Sequence, residues 1–239
     1  MVGYNPFSLQ GKTILVTGAS SGIGRATAIE CSYLGAKLFV TARNEERLRE
    51  TFDALEGDGH AMVIADVAKS EEMDSLVGSV SALDGFVCNA GITKRRPIHF
   101  IKEDELREVF EINTISSILL TKALAKAKKF NKGASIVFTS SKAARIVTPG
   151  NSMYAASKAA IESFARSCAL EFAAKAILPG MVETPLVLNG TLSEEDLERD
   201  KAKYLLKRYG RPEEIAWAII YLLSDASAWV TSTSVEISG

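Results

Sequence analysis

The sequence predicts an α/β protein in which a doubly wound parallel sheet is flanked by helices. Two observations support this prediction. Short apolar runs alternate with long helical patterns, which is the βαβ repetition of such folds. The runs are also almost continuously apolar and β-branched, as in Ile14-Leu15-Val16, and this suits strands that are covered on both faces. Because no linker or low-complexity tract interrupts the pattern, we expect a single Rossmann-type domain over residues 1–239.

The individual elements follow from apolar runs and from helix-start signals. Asn44 and Ser70 each precede two glutamates, which places a capping side chain and two acids at the positive end of a helix dipole. Helical patterns cover Glu103–Lys128 and Met153–Phe172, and Pro212–Leu223 forms another helix. The predicted strands are Thr13–Thr17, Lys37–Thr41, Ala61–Ala65, Gly85–Cys88 and Ala134–Thr139.

Composition excludes several classes of function. The 239 residues carry 28 basic and 29 acidic side chains, and neither a basic cluster for nucleic acid nor an apolar run long enough for a membrane span is present. Three widely spaced cysteines do not form a disulfide framework. Because residues 1–10 also lack the basic start and apolar stretch of a secretion signal, we expect a cytoplasmic protein. The two histidines, His60 and His99, have neither zinc-ligand nor triad spacing, so no metal is expected.

A glycine-rich turn between the first strand and the following helix predicts a phosphate site. Such a turn lets a pyrophosphate approach backbone N–H groups at the helix N-terminus. The alternative is that the glycines only permit close packing. The residues that we expect at the phosphates are Gly18, Ser20, Ser21, Gly22, Ile23 and Gly24.

The end of the second strand predicts the cofactor. An acid there would bind a ribose 2′-hydroxyl, but the sequence has Arg43, whose guanidinium suits a 2′-phosphate. We therefore expect NADP(H) in preference to NAD(H), which stays possible. The alternative for Arg43 is a solvated surface side chain.

A reactive set is predicted near the carboxyl ends of the strands. Tyr154 and Lys158 are four residues apart in a helical pattern, so both lie on one helix face. An ammonium near a phenol favours the phenolate and lowers the phenol pKa, which makes Tyr154 an acid–base group. Ser141 follows a predicted strand and is expected at the same edge of the sheet as the glycine turn.

Taken together, these residues resemble the short-chain dehydrogenase/reductase family over nearly the whole chain. The resemblance implies that Asp66 and Val67 lie at the adenine and that residues 89–91 line the cofactor channel. It also implies a nicotinamide site at residues 179–184 and self-association into a homodimer or homotetramer. The residues that carry the resemblance are Thr17, Gly18, Gly22, Gly24, Asp66, Asn89, Ala90, Gly91, Asn113, Ser141, Tyr154, Lys158, Pro179, Gly180 and Thr184.

The resemblance implies a mechanism of hydride transfer between a nicotinamide and a ketone or secondary alcohol. Tyr154 would supply the proton, Ser141 would stabilise the carbonyl oxygen, and Lys158 would hold the nicotinamide ribose. Asn113 is implied to support a proton relay.

One segment departs from the family pattern. Only six residues, Ala173–Leu178, separate Phe172 from Pro179, which leaves little room for both a connection and a strand. Either the preceding helix ends early, or the segment is deleted, or residues are missing.

The substrate stays open at this point. Leucines within a possible substrate lid at about residues 185–210 favour a moderately hydrophobic ketone, although packing explains them equally well. A 3-oxoacyl-thioester reductase, a hydroxysteroid-type dehydrogenase and a non-catalytic NADP-binding regulator are the alternatives. Lysines on one helix face could dock an acyl carrier protein, or they could serve only the helix dipole. The leucines are Leu186, Leu188, Leu192, Leu205 and Leu206, with Val187, and the lysines are Lys122, Lys126, Lys129 and Lys132.

Overall fold

A seven-stranded, fully parallel sheet is the centre of the fold in the computed structural model, which describes residues 4–188 and 193–239. The strand order is β3-β2-β1-β4-β5-β6-β7, so the chain crosses over between β3 and β4 and the sheet is doubly wound as predicted. The strands are β1 Thr13–Thr17, β2 Lys37–Ala42, β3 Ala61–Ile64, β4 Leu83–Cys88, β5 Phe130–Thr139, β6 Ala173–Pro179 and β7 Ser234–Ile237.

Nine helices in the described ranges pack on the two faces of this sheet or follow its carboxyl edge. They are α1 Gly22–Tyr33, α2 Glu45–Asp53, α3 Ser70–Ser79, α4 Glu103–Phe110, α5 Ser116–Lys126, α6 Ser152–Cys168, α7 Pro185–Leu188, α8 Glu194–Lys201 and α9 Pro212–Leu223. The prediction for α9 is confirmed to the residue, and the capping role of Asn44 is confirmed by the hydrogen bond that its side chain accepts from Arg47 N–H.

The predicted capping role of Ser70 is wrong. Ser70 is the first residue of α3, and Lys69 occupies the capping position. The cause is local, because Glu72 accepts a hydrogen bond from Asp66 N–H at 2.7 Å and pairs with Lys69 at 2.9 Å. This network begins the helix one residue earlier.

The long helix predicted over Glu103–Lys128 contains an irregular turn. A π-turn over Glu111–Ile115 separates α4 from α5, and the helix ends at Lys126. Such turns insert one extra residue and are frequent at functional sites. Here the π-turn carries Asn113, whose side chain is buried.

The short segment before Pro179 is a strand, so the expectation of little room for one is wrong. The preceding helix, predicted to reach Phe172, ends at Cys168. Residues 169–172 then turn, and β6 pairs with β5 from Ala173 to Ile177. Of the three explanations, early termination of the helix is the one that the structure supports.

Two apolar clusters fill the space between the sheet and its helices. Because side chains alternate along each strand, Leu15 and Phe86 pack on the α3, α5 and α6 face, whereas Ile14 and Val87 pack on the α1 and α9 face. The sheet is therefore buried on both faces, as the continuous apolar runs indicate. Among the described residues no helix is both long and apolar enough to span a membrane.

Candidate active site

The predicted site residues lie along the carboxyl edge of the sheet. Residues after β1, β4, β5 and β6 converge there, as they must in a doubly wound sheet. Residues after β2 and β3 extend the same edge to one side. The contacts that follow show which of these residues are brought together.

The glycine turn after β1 is built for a close approach to the backbone. Gly18 and Gly22 have positive φ angles of 65° and 54°, which side chains disfavour. A Cβ on Gly18 would lie 2.9 Å from the Ala90 Cα, and one on Gly24 would collide with the Gly18 carbonyl. The first turn of α1 has no side-chain cap from Ser21, so its N–H groups stay open for an anion.

The remaining members of the turn are placed around this opening. Ser20 and Ser21 are partly exposed beside it, and Ile23 packs against the apolar cluster beneath α1. A Cβ on Gly18 or Gly24 would meet backbone atoms and one on Gly22 would meet the Thr184 side chain, so the turn requires glycines, and its open N–H groups fit a pyrophosphate.

A hydrogen-bonded clamp holds the ends of β1 and β4 together. Thr17 Oγ1 accepts from Asn89 N–H at 3.0 Å and from Ala90 N–H at 3.2 Å, and Asn89 Nδ2 donates to Thr17 C=O. Asn89 and Ala90 thus wall the glycine turn. Gly91 follows them and is exposed.

Arg43 and Asp66 face each other beyond the ends of β2 and β3. Arg43 Nη1 lies 3.7 Å from Asp66 Oδ2, and the arginine side chain is about half exposed. Asp66 Oδ1 accepts from Ala68 N–H, and Val67 is buried against the core. An exposed ion pair of this length is weak, so the guanidinium is available to an incoming phosphate.

Ser141, Tyr154 and Lys158 meet above the end of β5. Ser141 Oγ accepts from Ala143 N–H at 3.1 Å and donates to Pro179 C=O at 3.5 Å. Lys158 Nζ lies 5.8 Å from the centre of the Tyr154 ring and donates to Thr139 C=O at 2.8 Å. The three predicted side chains therefore share one site.

Burial is the largest influence on the pKa values of Tyr154 and Lys158. It raises the pKa of the Tyr154 phenol, and the Ser141 hydroxyl and the charge of Arg95 oppose the rise. This direction is opposite to the sequence-based expectation that Lys158 lowers the phenol pKa. Burial without a carboxylate partner also lowers the pKa of Lys158 to about 8.

Lys158 has hydrogen-bonding capacity to spare. Its ammonium has three donors, and within the described chain only Thr139 C=O accepts from it. Its Nζ would lie 3.2 Å from a Cβ built on Gly91, so the glycine leaves space directly beside the charge. A ribose hydroxyl fits this combination of space and unused donors.

Asn113 fixes the chain that follows Gly91. Its Oδ1 accepts from Ile92 N–H at 2.8 Å, and its Nδ2 donates to Ile92 C=O and to Ser157 Oγ, both at 2.9 Å. A Cβ on Gly91 would lie 3.1 Å from Asn113 Oδ1. Asn113 and Lys158 therefore flank Gly91 from two sides.

The Pro179–Thr184 segment reaches the site although its connection to α6 is short. Gly180 N–H donates to Ile237 C=O at 2.8 Å and anchors the segment to β7. The buried Thr184 side chain would lie 3.0 Å from a Cβ on Gly22. The structure thus places Thr184 against the glycine turn.

Sequence reasoning did not give the roles of three further groups. Ser157 Oγ accepts from Asn113 and donates to Tyr154 C=O, and the Thr139 carbonyl holds Lys158. A backbone acceptor leaves no trace in residue identity, whereas Ser157 stands between Tyr154 and Lys158 and could have been examined. Arg95, whose charge acts on Tyr154, was also missed.

The possible lid is only partly described. Two backbone hydrogen bonds join the two ends of this segment, from Glu183 N–H to Gly210 C=O and from Gly210 N–H to Met181 C=O. Between them, α7 and residues 195–201 of α8 carry exposed or partly exposed side chains. Leu192 and its neighbours 189–191 lie outside the described residues.

A glycine-rich strand-to-helix turn beside a Ser-Tyr-Lys set is the arrangement of a nicotinamide-dependent oxidoreductase. Comparison with known proteins agrees with this class. Residues 18–239 match the model of a family described as enoyl-(acyl carrier protein) reductase. The 3-oxoacyl-(acyl-carrier-protein) reductase FabG of Rickettsia prowazekii is 32% identical, with 97% of both chains covered.

Solved structures give the same result. One described as a short chain dehydrogenase/reductase family protein has a TM-score of 0.87 and 32% identity, with 97% of both chains covered. Another, from Beutenbergia cavernae, is provisionally described as an NAD(P)-dependent gluconate 5-dehydrogenase with bound NADP at low occupancy; it has a TM-score of 0.88, 28% identity and 97% coverage of both chains. The chain belongs to the short-chain dehydrogenase/reductase family and is an oxidoreductase acting on CH–OH and C=O groups.

Proposed function

We propose that the protein is an NADPH-dependent carbonyl reductase in which Tyr154 is the proton donor. The observation that carries this proposal is the convergence of Ser141, Tyr154 and Lys158 beside the glycine turn. The reverse reaction, oxidation of a secondary alcohol, uses the same groups.

The cofactor would be held along the carboxyl edge of the sheet. The pyrophosphate would lie on the N–H groups of Gly18 and of residues 20–24, and the adenine beside Asp66 and Val67. Lys158 would bind the nicotinamide ribose, next to residues 89–91. The nicotinamide would lie against Pro179, Gly180 and Thr184.

Arg43 would select the phosphorylated cofactor. It is half exposed, and β2 ends without an acid that would prefer a ribose 2′-hydroxyl. The NADP bound to the Beutenbergia cavernae relative supports the same cofactor. NADH would bind more weakly because nothing replaces the guanidinium–phosphate pair.

The catalytic groups follow from the charge that develops. The bound cofactor supplies the hydride, and negative charge then grows on the carbonyl oxygen of the substrate. Tyr154 would donate its proton to that oxygen, while Ser141 would donate a hydrogen bond to it. Lys158 would place a positive charge near the phenol, and Asn113 would position the backbone beside it and support the proton relay.

Two observations bear on the class of carbonyl substrate. Leu186, Leu188, Leu205 and Leu206, all in the possible lid, are at least 44% exposed, which supports an apolar substrate portion. The name of the Rickettsia prowazekii relative supports a 3-oxoacyl thioester as one candidate.

Docking of a carrier protein on the lysine face is disfavoured by its position. Lys122 and Lys126 lie on α5, which leads back to the start of β5, and Lys129 Nζ donates to Val80 C=O at that edge. Tyr154 lies at the opposite edge of the sheet. A carrier protein bound there would stand away from the reacting carbonyl.

Self-association and a cytoplasmic location stay predictions. An open cavity of about 940 Å³ between α4 and α6 is lined mainly by apolar side chains, including Leu106, Phe110 and Met153. These helices are those that the sequence favours for a homodimer or homotetramer. A monomer in sedimentation at micromolar concentration would reject this interpretation. The three cysteines are buried free thiols, which supports a reducing compartment.

The proposal is tested first by calorimetric titration with NADPH and NADH, and then by NADPH oxidation with a panel of ketones. Tyr154→Phe should bind NADPH like the wild type yet lose turnover by at least about a thousandfold, because the proton donor is gone. Tyr33→Phe is the control, since Tyr33 is 59% exposed at the end of α1. Substantial turnover by Tyr154→Phe would reject the assigned role, and NADPH binding without any wild-type turnover would favour a regulator.

A further inference from the structure

The loop after Gly91 is fixed at both ends beside the reactive tyrosine. Asn113 binds both the N–H and the C=O of Ile92, as described above. Four residues later, Arg96 N–H donates to Gly150 C=O at 2.8 Å. Since α6 begins at Ser152 and Tyr154 lies in its first turn, the loop passes close to Tyr154.

Three consecutive basic residues in this loop have different surroundings. Lys94 pairs with Glu108 at 2.6 Å, and Arg96 forms two bonds with Glu105, at 2.9 and 2.8 Å. The two glutamates are three residues apart and so lie on one face of α4. Lys94 and Arg96 therefore point to the same side, and their charges are matched.

Arg95 lies between them and is directed elsewhere. The residue before a proline is held in extended backbone, as Arg96 is by Pro97, and side chains along extended chain alternate in direction. We therefore expect Arg95 to point away from α4, and in agreement with this it is exposed and has no carboxylate within 4.0 Å in the described chain. That its positive charge opposes the rise of the Tyr154 pKa agrees with a side chain directed to the cleft.

We propose that Arg95 selects substrates in which an anionic oxygen group, a carboxylate or a phosphate, lies near the reacting carbonyl. The proposal rests on the proposed reductase function and extends it. A guanidinium presents donors that match two anionic oxygens at once, and none of the residues that the structure describes occupies those of Arg95. The unmatched charge would orient the substrate so that its carbonyl faces Tyr154.

The first test compares anionic carbonyl compounds with neutral counterparts. The probes are 4-oxopentanoate against its methyl ester for a carboxylate, and dihydroxyacetone phosphate against dihydroxyacetone for a phosphate. The wild type should show kcat/KM at least about tenfold higher for the anionic member of one pair. Arg95→Ala should remove that preference mainly through KM, and Arg95→Lys should retain part of it.

The control removes an equal charge away from the site. Arg49 is exposed on α2 and its nearest acid is Glu45 at 3.9 Å, so Arg49→Ala should leave the anionic preference unchanged. The pair that is preferred identifies the source of the anionic group. Equal kcat/KM for both members of both pairs in the wild type, or an unchanged preference in Arg95→Ala, would overturn the proposal while leaving the reductase intact.

A binding measurement separates this proposal from the proposed function. Ligand-observed NMR with 4-oxopentanoate and with dihydroxyacetone phosphate, at saturating NADPH, needs no turnover. If an anion binds to the wild type and not to Arg95→Ala, the role proposed for Arg95 is supported, whether or not any carbonyl is reduced. If no carbonyl compound is reduced, the proposed reductase function is rejected. Failure of both anions to bind the wild type overturns the Arg95 proposal.

Discussion

Replacing Asn113 by alanine tests whether this side chain organises the site. The substitution removes three hydrogen bonds, to Ile92 N–H, Ile92 C=O and Ser157 Oγ, at 2.8, 2.9 and 2.9 Å. At about 1 kcal/mol each, and with buried groups left unpaired, we expect a loss of about 3 kcal/mol in the free energy of unfolding. For a chain of this size that corresponds to about 6–12 °C in Tm. Because the backbone beside Lys158 loosens, kcat should also fall by at least about tenfold.

The measurement is denaturant unfolding followed by steady-state kinetics. Asn131→Ala is the matched control, because Asn131 is exposed and makes one side-chain bond, to Asp84. Its unfolding free energy should change by less than about 0.5 kcal/mol. If Asn113→Ala unfolded like the control and kept its kcat, the hydrogen bonds would not hold the site as argued.

Two further predictions concern cofactor choice and pH. Arg43→Ala should weaken NADPH binding by about tenfold or more and leave NADH binding unchanged, as measured by calorimetry, because only the phosphate contact is lost. Lys175 is buried, donates to Ser135 Oγ and Leu222 C=O, and has its pKa lowered from 10.5 to about 8. At Lys175 the unfolded chain therefore binds more protons between about pH 8 and 10.5, so this residue should contribute up to about 3 kcal/mol of stability that is gained as the pH rises through that window. Because Lys158 also has a lowered pKa and contributes in the same window, the test is the difference: in denaturant unfolding the stability of the wild type should rise more steeply with pH than that of Lys175→Met, and equal pH slopes for both proteins would contradict the assignment.

The strands that were predicted correctly are continuous apolar runs, and the two that were missed, β6 and β7, are not. β1 and β2 are continuous apolar runs, and such runs are buried between two layers of helices whatever the details of the fold. By contrast, Ala173–Leu178 combines alanines with Lys175, which suits a helix as well as a strand. Pairing with β5 decides in favour of the strand. β7 has four residues, too few for a periodic pattern to show.

The candidate site was predictable where it depends on helix or strand geometry. The spacing of Tyr154 and Lys158 puts them on one face of α6, and the structure shows them 5.8 Å apart from ammonium nitrogen to ring centre. The direction of the phenol pKa was not predictable, because it depends on how deeply tertiary packing buries the ring. The difference between Arg95 and its neighbours was not predictable either, since the glutamates that pair with Lys94 and Arg96 lie on another element, α4.

Asn113 contacts both the region around Lys158 and the start of the loop that carries Arg95. On one side it borders Gly91, next to the Lys158 ammonium, and on the other it fixes Ile92, where the loop that carries Arg95 begins. Under the two proposals, chemistry and substrate selection would therefore depend on the same buried amide. If both proposals hold, Asn113→Ala should reduce the preference for anionic substrates as well as kcat, because Arg95 loses its fixed position. Arg95→Ala should change the preference, mainly through KM, without the loss of unfolding free energy expected for Asn113→Ala, so comparing the two variants separates the loss of an anion contact from the loosening of the loop.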